Sequence, residues 1–204
     1  MLFLNGALRR GGSTEGAIDL SLSHLRENFP GVSVEVIHLC EAKITICDSC
    51  YTCDTEQACW IPDDVQGIVK KMLAADGIIY AFPVHAFGVN SLMQVFLERA
   101  GVGFLRFERP LENKVAGIIV TGRRYSHEMA WAQVALNVML NKMILIGSGF
   151  PGIIRNDGKL LQKHLRDDEG VRSVKDMLTK MALFLRERAA RRCEQLEVSM
   201  SLPP

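Results

Sequence analysis

Short apolar runs alternate with longer amphipathic stretches along the chain. Leu2-Phe3-Leu4 reads as a truncated first strand, and 14–27 as a helix with Ile18, Leu20, Leu22 and Leu25 at its apolar positions. From Val32 to Leu39 the alternation has the period of a strand, with β-branched side chains at Val32, Val34, Val36 and Ile37. A helix capped by Asp63 or Asp64 follows, its buried stripe being Val65, Ile68, Val69 and Met72. Residues 77–82 (GIIYAF) have the mostly apolar character of a buried parallel strand. The pattern then predicts a helix over 91–100, a fourth strand over 115–121, a helix over 127–141, a fifth strand over 142–147 and a last helix over 171–192. The longest irregular insertion is 102–113, residues 1–195 read as one domain, and 196–204 read as a flexible tail.

Strands that alternate with helices imply parallel strands, right-handed crossovers and helices on both faces. The expected fold is therefore α/β: a doubly wound five-stranded parallel sheet, order 2-1-3-4-5, in a three-layer sandwich. Ligands of such sheets lie beyond the carboxyl ends of the strands, where strand order reverses. The segments that follow each strand are thus where chemistry is sought.

Composition narrows the function classes. The 204 residues are 48% hydrophobic, enough for one domain with a sizeable core. With 24 Lys+Arg against 23 Asp+Glu there is no strong field, so neither nucleic acid nor a membrane is an expected partner. Met1 to Leu4 is too short an apolar run for a secretory signal, and no run is long enough to span a bilayer. A cytoplasmic location is expected.

Cysteine usage changes the picture most. Cys47, Cys50, Cys53 and Cys59 fall within thirteen residues, spaced C-x2-C-x2-C-x5-C, on a loop 47–59 after the second strand. That density points to metal or redox chemistry rather than a disulfide scaffold. Iron–sulfur clusters use such compact runs, and four thiols can hold one cubane. Zinc more often takes two separated knuckles, and free redox-active thiols are the third reading. Cys40 ends an apolar run and reads as a packed small hydrophobe; Cys193 stands apart.

Three further loops carry weaker signals. After the first strand, residues 5–14 (NGALRRGGST) have the small residues and hydroxyls of a phosphate cradle opening a helix. They lack the lysine of a nucleotide triphosphatase loop and the G-x-G-x-x-G of a dinucleotide fold. The plain reading is a glycine turn with Ser13 or Thr14 as cap. After the third strand, Pro83 to Asn90 offers planar surfaces at His85 and Phe87. After the fourth, Gly122 allows close backbone approach, and Arg123 and Arg124 are solvated charges or contacts to an anion.

On these residues the chain resembles a known family. The stretches NGALRRGGST, CDSCYTCDTEQACWIPDD, FPVHAFGVNSLMQVFLER and PLENKVAGIIVTG, over about residues 1–125, are similar to the NAD(P)H-dependent FMN reductases of the flavodoxin-like superfamily, in their iron–sulfur flavoprotein branch. The resemblance implies a flavodoxin-like fold carrying FMN. It assigns the phosphate to Ala7, Arg9, Ser13 and Thr14, and the ring to Pro83, Val84, His85, Phe87, Gly88, Thr121 and Gly122. It also assigns a [4Fe-4S] cluster to Cys47, Cys50, Cys53 and Cys59, and implies a homodimer or homotetramer with the flavin near the subunit interface. The chain departs from the pattern at His85, where Tyr or Phe is usual, and at Arg123, where a second glycine is usual.

The implied activity is an FMN-dependent oxidoreductase. It would move electrons between NAD(P)H or a ferredoxin-like protein donor and a small acceptor: a quinone, a flavin, a nitro-aromatic or an oxygen species. His85 and Tyr125 are the candidate catalytic residues, as proton donors to the reduced product. The alternatives are a cluster-free NAD(P)H-dependent FMN or quinone reductase, a non-catalytic electron-transfer flavoprotein, and a binding domain whose cysteines hold structural zinc.

Overall fold

The computed structural model describes residues 1–56, 59–103, 108–156, 165 and 167–201. In chain order the elements are β1 (Leu2–Asn5), α1 (Ser13–Asn28), β2 (Glu35–His38), α2 (Val65–Ala74), β3 (Gly77–His85), β4 (Gly88–Val89), α3 (Ser91–Leu97), β5 (Val115–Gly122), α4 (His127–Leu140), β6 (Ile144–Leu145), β7 (Ile153–Arg155) and α5 (Asp168–Ser201). Single tight turns lie at Leu39–Glu41 and Thr52–Asp54, and α3 runs on into a π-helical turn over Glu98–Gly103.

The sheet path is β2-β1-β3-β5-β6, parallel throughout, with β7 also parallel to β5 and β4 folded back antiparallel on β3. Alternation along the central strands sorts side chains to two cores. Leu2, Leu4, Ile78, Tyr80, Phe82, Ala116, Ile118 and Val120 face α2, α3 and α4. Phe3, Ile79, Ala81, Val115 and Ile119 face α1 and α5. This is the expected doubly wound, three-layer, flavodoxin-like arrangement, with seven strands where the sequence predicts five.

The two extra strands have local causes. β6 pairs with Val115 and Ala116, and β7 with Val120 to Gly122, so both lie along the flank of β5 away from β3. They are two fragments of one fifth strand. Between them Gly149 takes a left-handed φ of +88° and Pro151 lacks an N–H, which carries the chain off the ladder. β4 forms because β3 continues past Phe82 to a tight turn at Ala86 (φ 45°) and Phe87 (φ 66°), pairing Val84 with Val89.

β2 is shorter than predicted because its partner β1 offers four residues, Leu2↔Glu35 through Asn5↔His38. Helix α5 runs from Asp168 through Ser201, past the expected start of the tail; 202–204 lie outside the described residues, as do 104–107 of the predicted insertion. No helix among the described residues is long and apolar enough to cross a membrane.

Candidate functional site

The ends of the central strands form one rim. Asn5 is level with His38 on one side and Ala81 on the other, and Pro83 is level with Thr121. Side chains tie the loops above it together. Thr14 Oγ1 lies 2.7 Å from Thr121 Oγ1, joining the first loop to the end of β5. Asn90 Nδ2 donates to the Gly6 carbonyl at 2.7 Å, and Asn5 Nδ2 lies 3.0 Å from His38 Nδ1. The glycine–serine segment, the β3–β4 turn and the end of β5 are thus brought to one place, as the sequence implies.

In the first loop Gly11 turns the chain at φ 75°, and α1 begins at Ser13 with Gly12 as its N-cap and no side-chain cap. An uncapped helix start leaves first-turn N–H groups and the positive end of the helix dipole for an outside acceptor. Ser13 is half-buried beside that opening and Arg9 is exposed. Other predicted contacts are engaged within the protein. The Ala7 N–H donates to Asn5 Oδ1 at 3.0 Å, so Ala7 shapes the loop, and the Thr14 hydroxyl is spent on Thr121. Arg10 pairs with the buried Glu15 at 3.0 Å and with Glu41, and these hydrogen bonds, Glu15's first, hold its pKa above the ordinary arginine value.

Across the rim, Phe87 and Tyr125 stack with ring centroids 4.5 Å apart and planes 24° from parallel. Both rings stay exposed, as does His85, while Pro83, Val84 and Gly88 are half-buried. The Val89 N–H donates to Gln133 Oε1 at 3.2 Å, which fastens the turn to α4. Gly122 has a steric reason to be glycine: a Cβ there would stand 2.6 Å from His127 Nε2. His127 is buried, and its Nε2 has no hydrogen-bond partner among the described residues. Asn90 Oδ1 is likewise buried and without a partner. Two orphaned buried polar atoms and an uncapped helix, gathered at one rim, fit a phosphorylated ligand with a polar ring.

Sequence reasoning missed Asn5, Asn90 and His127 as site residues. Each had a position that marks it: Asn5 closes an apolar strand, Asn90 precedes a helix, and His127 opens one. Polar residues at element ends are common as caps, so the pattern alone gives no reason to single these out.

The cysteine segment leaves the same rim after β2 but carries its thiols elsewhere. Cys47, Cys50, Cys53 and Cys59 line one small concavity with Asp48, Tyr51, Trp60, Glu98 and Arg99. None of the residues that line this concavity belongs to the Ser13–Thr121 cradle. Backbone kinks at Ser49 (φ 56°) and Tyr51 (φ 61°) curl the loop. The Trp60 indole N–H donates to Cys50 Sγ at 3.0 Å, and the Ser49 N–H to Cys47 Sγ at 3.4 Å. No disulfide joins these four or the half-buried Cys40, and the Cys193 side chain lies outside the described residues. No three of the described His, Cys, Asp and Glu side chains stand in a metal-binding group.

The neck of the loop is closed by Asp63 and Arg99, whose side chains are 0% and 2% exposed. Burial pushes the Asp63 carboxyl up, but the Arg99 hydrogen bond, the N–H groups of Thr45 and Val65 and the Arg99 charge outweigh it, so its pKa lies below the usual carboxylate value. Asp64 stands at the start of α2, yet it is Asp63 Oδ1 that accepts the Val65 N–H, at 3.2 Å.

A family model described as NADPH-dependent FMN reductase matches residues 1–155. An iron-sulfur flavoprotein of Methanocaldococcus jannaschii is 32% identical over 150 residues, 72% of this chain and 76% of that protein. The iron-sulfur flavoprotein of Methanosarcina thermophila is 29% identical over 182 residues, 87% of this chain and 91% of that protein. Among solved structures, RosB with a bound 8-demethyl-8-formylriboflavin-5'-phosphate covers the whole chain, with 88% of its own length, a TM-score of 0.68 and 20% identity. An NADH:FMN oxidoreductase in its apo form matches with a TM-score of 0.61 and 16% identity, over 89% of this chain and 87% of that one. At these identities the solved structures speak to the fold.

Proposed function

The chain belongs to the NADPH-dependent FMN reductase family, and on that premise we propose that it couples FMN to a [4Fe-4S] cluster on Cys47, Cys50, Cys53 and Cys59. It is a flavin-dependent oxidoreductase. The finer reading is that it moves electrons between NAD(P)H or a ferredoxin-like donor and a small acceptor such as a quinone, free flavin, nitro-aromatic or oxygen species. The observation that carries the cluster is the one concavity lined by all four cysteines, with N–H groups directed at two of the sulfurs. Relatives named iron-sulfur flavoproteins support it. Cubane ligation by four thiolates suits this donor set.

When bound, FMN exchanges two electrons as hydride or one at a time, whereas a cluster exchanges one. The protein's part is binding, orientation and proton supply. In this reading Ser13, Arg9 and the start of α1 bind the phosphate. Thr14 and Thr121 fix the spacing between that cradle and the end of β5. Pro83, Val84, Phe87, Gly88 and Gly122 border the ring, and His85 and Tyr125 hold the protons that reduced products require. The chain also pairs with a second copy through the outer face of α4, where Met129, Leu136, Met139 and Leu140 are exposed. Apolar patches of this kind mark association surfaces.

The test is an anaerobic absorption spectrum of fresh full-length protein with flavin, iron, sulfide and zinc analysis. A brown protein with one FMN and four irons per chain is expected. A yellow, iron-free protein would retain the flavin reductase and discard the cluster. Zinc without flavin would discard both.

A further inference from the structure

Arg99 is a buried, permanently charged residue whose hydrogen bonds among the described residues serve the cysteine segment. Its Nη1 donates to the Thr45 carbonyl at 2.6 Å and to Asp63 Oδ2 at 2.8 Å, and its Nη2 to Asp63 Oδ1 at 3.2 Å. Thr45 stands two residues before the first cysteine and Asp63 four after the last. The Thr45 N–H in turn donates to Asp63 Oδ2 at 2.9 Å. The guanidinium therefore pins both ends of the loop to the end of α3.

A pair serving only to close the neck would need nothing more. Arg99, however, also lines the concavity with the four cysteines, and Asp63 does not. Its Nε is buried and has no hydrogen-bond partner among the described residues. The cation thus borders the concavity that the four thiols line, and its counterion does not.

We propose that Arg99 is the positioning residue of the sulfur centre: it clasps the loop's neck and presents a fixed positive charge to the cluster, raising its reduction potential. The inference rests on the cluster reading above and names what tunes it. Each electron added makes a thiolate-bound centre more negative, so a neighbouring fixed cation stabilises the reduced form more than the oxidised one. Asp63 carries the opposite charge from farther away and acts in the opposite sense. Arg99→Gln should lower the one-electron potential and Asp63→Asn should raise it.

The opposed signs separate this role from a structural one, because a merely loosened loop gives no reason for two neck variants to diverge. The experiment uses full-length protein reconstituted anaerobically with ferrous iron and sulfide. Potentiometric titration is followed by electron paramagnetic resonance, with FMN content as the control on folding. Arg99→Lys, which keeps the charge but not the fork, should fall between wild type and Arg99→Gln. Should either single variant fail to fold, the double variant Arg99→Gln with Asp63→Asn leaves no uncompensated buried charge, and its potential should still lie below wild type because the nearer charge is gone. Potentials that shift together, or stay unchanged in iron-loaded variants, would overturn the proposal alone. A wild type that takes up no iron would overturn it together with the reading it rests on.

Discussion

At the scale of single residues, the rim divides side chains that hold the cradle from side chains left exposed above it. Thr14, Thr121, Asn5 and Asn90 are committed to one another or to backbone, whereas His85 is exposed at the end of β3. If His85 delivers a proton, His85→Ala should keep its FMN and lose about tenfold or more in turnover, with general acids typically contributing ~10²–10⁴-fold. A pH–rate profile of wild type and variant checks this, and profiles that superimpose would remove His85 from the mechanism. The sequence made the small residues and hydroxyls of 5–14 legible because a phosphate loop needs them at close spacing. It gave no sign that the Ala7 N–H and Thr14 hydroxyl are used internally, since those bonds join β1 to the first loop and α1 to β5, and the latter pair is more than a hundred residues apart. His127 was hidden because its closeness to Gly122, five residues before it, depends on the tight connection from β5 to α4, with Ser126 at φ 58°, which no apolar pattern marks.

Among the elements, strands buried on both faces were legible and those defined by a neighbour were not. β3 and β5 are buried on both faces, so their apolar runs announce them. The fifth strand shows why composition alone falls short. Residues 142–147 look like a strand, but only Ile144 and Leu145 pair, and the ladder resumes at Ile153 after a turn no apolar pattern marks. Helix–helix contact on the α1–α5 face supplies a pH dependence. His24 Nε2 lies 2.9 Å from Thr179 Oγ1, and burial, with the positive charge of Lys175, lowers the imidazole pKa. The folded state therefore prefers the neutral ring, while the unfolded chain takes up a proton near pH ~6.5. This contribution is fully present above that pH and is lost as pH falls through the lower folded-state value. The melting temperature should fall on acidification below about pH 6.5, and His24→Gln should flatten the slope in thermal melts taken across that range.

For the molecule as a whole, the two helical layers differ in what they leave uncovered. The outer side of α4 carries Met129, Leu136 and Met139, each about two-thirds exposed, with Glu128 and Gln133 as its exposed polar residues. If this face joins two copies, Leu136→Glu should convert a dimer to a monomer in light scattering, at a cost of at least ~2 kcal/mol in association if Leu136 is a central contact. Wild type that is already monomeric at micromolar concentration would exclude the interface. The margins of the sheet have another consequence. One border is the four-residue β2, which begins at the exposed Glu35, and the other is β6 and β7, of two and three residues. Neither offers a long run of unpaired N–H and C=O groups, so strand-to-strand stacking between molecules has little template to grow from. Copies of this protein that meet at high concentration should recognise one another by their helices, and a thioflavin-positive fibril is not the state toward which this topology drifts.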